Sequence, residues 1–335
     1  MGKTWDQLEE LQPTVLKMLK NSLLKNRVAH AYLFEGMRGT GKKEVGLLLT
    51  KSQFCLSLID GFKPCETCNN CRRINHGNHP DVHLVEPDGL SIKVDQIRNL
   101  QAEFTKKGVE SIKKVYLISH ADKMSVSASN SLLKFLEEPS PGTTAFLLTE
   151  QQQQILPTIL SRCQALAFKP LAPQVMVKQL IENGVSPVKA RVLAQLTNDL
   201  EEALKLNVDE WFAQAQKLVV KLYEVLKRNP LEAMVTLQGE WFLHFKDKEQ
   251  IQLGLDLLLL IFKDLLYIQL DRQEQVVFIG EIERLRQFAL QTSGRRLSDQ
   301  MSAILEAKRK LQANMNPQLM MEQLVLKLQE GSSFV

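Results

Sequence analysis

The run Gly36-Met37-Arg38-Gly39-Thr40-Gly41-Lys42-Lys43 commits the first part of the chain to one local architecture. An apolar stretch, Ala31-Tyr32-Leu33-Phe34, precedes it and reads as a buried strand; Val45-Gly46-Leu47-Leu48-Leu49 follows and continues as a helix. Strand, glycine-rich turn, Lys, helix is the layout of a phosphate-binding loop. Backbone N–H groups wrap a phosphate there, and the helix N-terminus adds partial positive charge. The candidate nucleotide-binding residues are Gly36, Gly39, Thr40, Gly41, Lys42 and Lys43. The last position departs from the ATPase pattern, because a Ser or Thr hydroxyl that ligates Mg²⁺ belongs where Lys43 stands. The expectation is a degenerate cradle with room for ADP or ATP but without Mg-dependent hydrolysis.

A phosphate-loop ATPase also needs an apolar strand ending in Asp, with Glu beside it, to hold Mg²⁺ and activate water. The strand Val115-Tyr116-Leu117-Ile118 is present, but Ser119 and His120 occupy the two acidic positions. Asp122 lies three residues beyond the Asp position and is expected to point elsewhere. His120 as a substitute base is conceivable on pKa grounds, but a surface or hydrogen-bonded histidine is the plainer reading.

Four of the five cysteines are Cys55, Cys65, Cys68 and Cys71, spaced C-x9-C-x2-C-x2-C. Four thiolates so close suit tetrahedral Zn²⁺ with no open position, hence a structural site. Reduced, unliganded thiols and an iron–sulfur cluster are the alternatives; the latter usually has other spacing and a following Pro.

Strand candidates at Ala31–Phe34, His83–Glu86, Val115–Ile118, Thr144–Leu148 and Gln164–Phe168 alternate with helical stretches such as Val94–Phe104 and Ala128–Glu138. That alternation predicts a parallel sheet with helices on both faces. After Pro170 and Pro173 come three short helical runs, Gln174–Asn183, Pro187–Leu196 and Asp199–Leu206, and from Asp209 onward the chain reads as all helical. At 335 residues two or three domains are expected. The most apolar window, Ile251–Leu270, carries Asp256, Lys263 and Asp264. Each of these charges costs about 2.5–3.5 kcal/mol at a bilayer centre, so a buried helix and no membrane partner are expected. No basic segment followed by an apolar one opens the chain, so the reading is cytoplasmic. A formal charge of +4 permits nucleic-acid contact without arguing for it.

Two further runs matter. Asn130-Ser131-Leu132-Leu133-Lys134-Phe135-Leu136-Glu137-Glu138-Pro139 is a helix with an apolar face toward the sheet, ended by Pro139. Leu156-Pro157-Thr158-Ile159-Leu160-Ser161-Arg162-Cys163 is a short helix followed by an arginine that composition alone leaves on the surface. With Ala31–Lys42 and the four-cysteine knuckle, these runs resemble bacterial clamp-loader AAA+ subunits over about residues 10 to 168. The resemblance implies an α/β AAA+ domain over 1–168 with a zinc knuckle at 55–71. It also implies a helical lid over 169–208 and an all-α collar over 209–335. The family's ATPase subunits carry Ser or Thr at position 43 and Asp-Glu at positions 119 and 120; this chain departs at all three. In the lid, Leu200-Glu201-Glu202-Ala203-Leu204 places Glu201 where those ATPases carry a sensing Arg. Ser161, Arg162 and Cys163 match the family's trans-acting motif, whose Arg reaches ATP bound by the neighbouring subunit. The implied partners are tau/gamma and delta subunits in a heteropentamer, the sliding clamp and primed DNA. The implied role is a non-hydrolysing stator of the DNA polymerase III holoenzyme, a DNA-directed DNA polymerase (nucleotidyltransferase). Two rivals stay open: an active ATPase, and a zinc-knuckle DNA-binding protein using Arg72-Arg73, Lys106-Lys107 and Lys113-Lys114.

Overall fold

A computed structural model describes residues 3–105 and 111–329. The chain divides into two compact units, Met1–Leu171 and Ala172–Val335.

In the first unit the apolar runs form five parallel strands: β1 (Ala31–Glu35), β2 (Val82–Val85), β3 (Lys114–Ile118), β4 (Thr143–Thr149) and β5 (Gln164–Ala167). Their order is β2-β3-β4-β1-β5, so β1 lies between β4 and β5. Tyr32 stands opposite Phe146 and Leu33 opposite Leu147. A strand sends successive side chains to opposite faces, so a run buried on both sides must be apolar throughout. On one face Tyr32, Phe34, Phe146 and Leu148 pack with Val45, Leu48 and Leu49. On the other, Leu33, Tyr116 and Leu147 pack with Ile97, Leu132 and Leu136.

The helices of this unit are α1 (Trp5–Leu11), α2 (Pro13–Leu24), α3 (Lys42–Phe54), α4 (Asn69–Asn75), α5 (Val94–Thr105), α6 (Val126–Glu137) and α7 (Pro157–Leu160). The expected strands and helices are present, with ends displaced by a residue or two. Helix α6 starts earlier than its apolar pattern indicates because the Ser125 side chain accepts from the Ala128 N–H and caps it. Strand–helix alternation does not announce α1 and α2. They add Trp5, Leu8, Val15, Leu16 and Leu19 to the core beside the phosphate loop.

The second unit is helical throughout its described residues, from Pro173–Glu182, Pro187–Leu196 and Leu200–Val208 to Pro317–Gln329. The region expected as lid and that expected as collar share one apolar core, running from Met176 and Leu193 to Leu258 and Leu328. The apolar window is the helix Lys248–Gln269, buried on most of its surface as expected. Gly254 is required there, since a Cβ would lie 2.7 Å from the Trp241 ring. No helix among the described residues is long and apolar enough to cross a membrane.

Candidate functional site

The phosphate loop leaves β1 and enters α3, with Gly41 as N-cap at φ 90°. A Cβ at Gly36 would sit 2.6 Å from the Phe168 carbonyl oxygen, so only glycine lets the loop pass the strand beside it. Thr40 Oγ1 donates to the Met37 carbonyl at 2.8 Å. Lys42 is buried, and its Nζ donates to the carbonyls of Gly36 and, at 2.8 Å, Met37. The ammonium thus ties the loop's opening residues to the helix start. Burial holds its pKa below the ordinary lysine value, with Glu150 and Asp122 acting the other way. Gln12 is buried between the helices α1 and α2. Its Nε2 donates to the carbonyls of Thr40 (3.1 Å) and Lys169 (2.7 Å), clamping the loop from the N-terminal side. Sequence periodicity misses Gln12, because a polar residue before a proline carries no sign of burial.

Lys43 turns away from the loop and pairs with Glu86 at 2.8 Å, both side chains about half exposed. At the end of β3, Ser119 is buried and its Oγ has no hydrogen-bond partner among the described residues. His120 adopts a left-handed backbone, φ 53°, with its Nδ1 3.8 Å from Glu150. Asp122 accepts from Thr149 Oγ1 (2.7 Å) and from the Glu150 N–H (3.2 Å), so it braces the end of β4. Positions 43, 119 and 120 thus hold a lysine, a serine and a histidine, none of which offers a carboxylate.

Cys55 ends α3, Cys68 caps α4 and Cys71 lies within α4. The Sγ atoms of Cys55, Cys65, Cys68 and Cys71 all lie within 4.8 Å of one another. A tetrahedral Zn²⁺ with bonds of about 2.3 Å needs sulfurs roughly 3.8 Å apart, so the four thiols fit a closed site. The Cys65 N–H donates to Cys55 Sγ and the Cys68 N–H to Cys65 Sγ, both at 3.3 Å. The N–H groups of Cys68 and Thr67 hold the Cys65 thiol down to about 6, whereas burial pushes Cys71 up. Glu66 sits in the knuckle turn at φ 60°, and the buried Lys51 of α3 donates to both its carboxylate oxygens at 2.6 Å. This brace joins the turn to the helix that carries Cys55.

Ser161, Arg162 and Cys163 leave α7. The Ser161 hydroxyl donates to the Thr158 carbonyl at 3.0 Å. Arg162 is partly exposed and reaches the C-terminal end of α6, where Nη2 meets Glu137 Oε1 at 2.7 Å. Its Nη1 donates to the Thr158 carbonyl at 2.8 Å and to Ser161 Oγ at 3.2 Å. Cys163 packs against the core beneath β3, and burial pushes its thiol up to about 12. It is a protonated packing residue at neutral pH. Of the basic pairs, Lys113 donates to the Gln53 carbonyl and the buried Lys114 to the Glu103 carbonyl. Arg72 and Arg73 lie in the last turn of α4, and Lys106-Lys107 fall outside the described residues.

A family described as DNA polymerase III, delta subunit, matches residues 11–172, and its C-terminal counterpart matches 241–330. DNA polymerase III subunit delta' of Bacillus subtilis (strain 168) is 51% identical over 331 residues, covering 99% of this chain and 100% of that protein. The chain belongs to the DNA polymerase III delta' family. Within this family, the parallel sheet and phosphate loop are an AAA+ core and the chain is a clamp-loader component. The delta' subunit of Haemophilus influenzae is 28% identical over 267 residues, 75% of each chain. The tau subunit of Bacillus subtilis is 36% identical over 171 residues, 50% of this chain and 30% of that one.

Proposed function

We propose that this chain is a non-hydrolysing stator of a clamp loader that lends Arg162 to ATP bound by a neighbouring subunit. The observation that carries the reading is that Lys43, paired with Glu86, stands where a hydrolytic site needs a Mg²⁺-binding hydroxyl, and Ser119 and His120 stand where it needs two carboxylates. Arg162, by contrast, is partly exposed at a helix end, and its guanidinium is always charged and planar, as a developing γ-phosphate charge requires. Such a cation is worth roughly 10³–10⁵ in rate. The intended partners are tau/gamma and delta subunits in a heteropentamer, which places the sliding clamp on primed DNA. The lid is assigned to 169–208 and the collar to 209–335. Zn²⁺ is assigned to the four cysteines as a structural ion that would tie α3 to α4. The phosphate loop is assigned ADP or ATP held without Mg-dependent turnover.

The purified chain is expected to release no inorganic phosphate from Mg·ATP above background, and its loader partners are expected to co-purify with it. Metal-dependent hydrolysis that Lys42→Ala abolishes would establish the ATPase rival instead; simple nucleotide binding would not. The DNA-binding rival predicts a steep salt dependence of DNA affinity for the isolated chain.

A further inference from the structure

We propose that Glu137 is a positioning residue for Arg162, a proposal that rests on the trans-acting role just assigned to that arginine. The guanidinium has five N–H donors. Thr158 O and Ser161 Oγ fill the two hydrogens of Nη1, at 2.8 and 3.2 Å. Glu137 Oε1 takes one hydrogen of Nη2 at 2.7 Å. Among the described residues nothing accepts from Nε or from the second hydrogen of Nη2. Donor capacity is thus left over for an anionic oxygen, which a guanidinium grips best through two N–H groups. The three contacts inside the chain therefore hold the guanidinium without using all its donors, and the side chain stays about one-third exposed.

The anchoring points come from two elements. Thr158 and Ser161 belong to α7 and its exit, whereas Glu137 is the last residue of α6. Contacts to α7 alone would let the side chain swing with its own backbone turn. The Glu137 contact references it to a helix packed on the sheet through Leu132 and Leu136. A cation at a helix C-terminus also meets the negative end of the helix dipole. Glu137 remains about half exposed, so water screens the pair and its hold on the arginine is modest. A long side chain held beforehand loses less freedom when its target arrives.

The test compares Arg162→Ala, Glu137→Ala, Glu137→Gln and the Arg162→Ala/Glu137→Ala double variant in the assembled loader, by pre-steady-state ATP hydrolysis. Arg162→Ala identifies the fraction of turnover that depends on this subunit. In that fraction Glu137→Ala is expected to lower kcat about threefold to tenfold, the cost of ordering one long side chain, with KM unchanged. Glu137→Gln keeps an acceptor oxygen and is expected near the wild-type rate. The double variant is expected to be no slower than Arg162→Ala. Melting of each isolated variant checks that the fold is kept. The proposal is overturned if Glu137→Ala turns over at the wild-type rate or faster while Arg162→Ala is slow. It is overturned equally if the double variant is slower than Arg162→Ala alone. An Arg162→Ala loader at full rate removes the trans-acting role itself, and the role of Glu137 with it, and is recognised without reference to any Glu137 variant.

Discussion

Arg162 spends its charge on a surface ion pair with Glu137 and on a carbonyl of its own chain. Exposed pairs contribute about 0–1 kcal/mol, so this arginine adds little to folding. Arg162→Ala should leave the melting temperature of the isolated chain within a few degrees of wild type, by roughly the same small energy. In the assembled loader it should cut ATP hydrolysis at the abutting site, and clamp loading should fall further if the sites must act in order. Arg162→Lys should fail to restore the rate, because a compact ammonium cannot reproduce two parallel donors. A variant that melts lower alone yet loads clamps normally would mark Arg162 as structural. Cys163 next to it packs against the core, and burial pushes its thiol up to about 12.

At the scale of elements, the helix Lys248–Gln269 shows how one buried charge is accommodated. Asp264 is fully buried and accepts from the N–H groups of Val277 (2.9 Å) and Phe278 (2.7 Å). The carboxylate thereby stitches the helix to the turn that follows it. Burial raises its pKa to about 6, against the opposing pull of those two N–H groups and of Lys263 and Arg191. A free Asp in the unfolded chain titrates near about 3.9. The folded state therefore holds its proton longer, and the stability this proton supplies is full below pH ~4 and lost as pH rises through about 6. Urea unfolding of wild type and Asp264→Asn at pH 4.5 and 7 should show this. The wild type's stability relative to the variant should fall across that window by an amount on the order of 2 kcal/mol. A pH-independent difference would mean that the carboxyl stays ionised in the fold.

On the scale of the whole molecule, the chain has separate apolar cores. Two flank the sheet of the first unit and one runs through the second. The cysteine cluster belongs to the first unit, where Phe54, Phe62 and Ile74 surround it in sequence and join the core on the α3 face. A structural Zn²⁺ can contribute about 10 kcal/mol of apparent folding energy to a small module. Metal analysis of the native chain should find zinc, and Cys68→Ser should lose it. Amide protection over 55–71 should collapse in that variant, while protection in the helices after Ala172 stays at wild-type level. Zinc-free native protein would refute the site, and collapse of both units would mean that their stabilities are not independent.

The sequence by itself determined the parallel α/β architecture, the phosphate loop, the clustering of Cys55, Cys65, Cys68 and Cys71, and the three departures at Lys43, Ser119 and His120. Each of these is a local matter: strand runs, glycine positions and ligand spacing are dictated by neighbours a few residues away. Tertiary structure alone decided the partners of the polar side chains. Gln12 reaches Lys169, Lys43 finds Glu86, Lys51 holds Glu66 and Arg162 rests on Glu137, across 157, 43, 15 and 25 residues of sequence respectively. A hydrophobic period says which side of a helix is buried. It is blind to which charged tip will lie within 3 Å of another, because that depends on how separate helices and strands are brought together by the core they share.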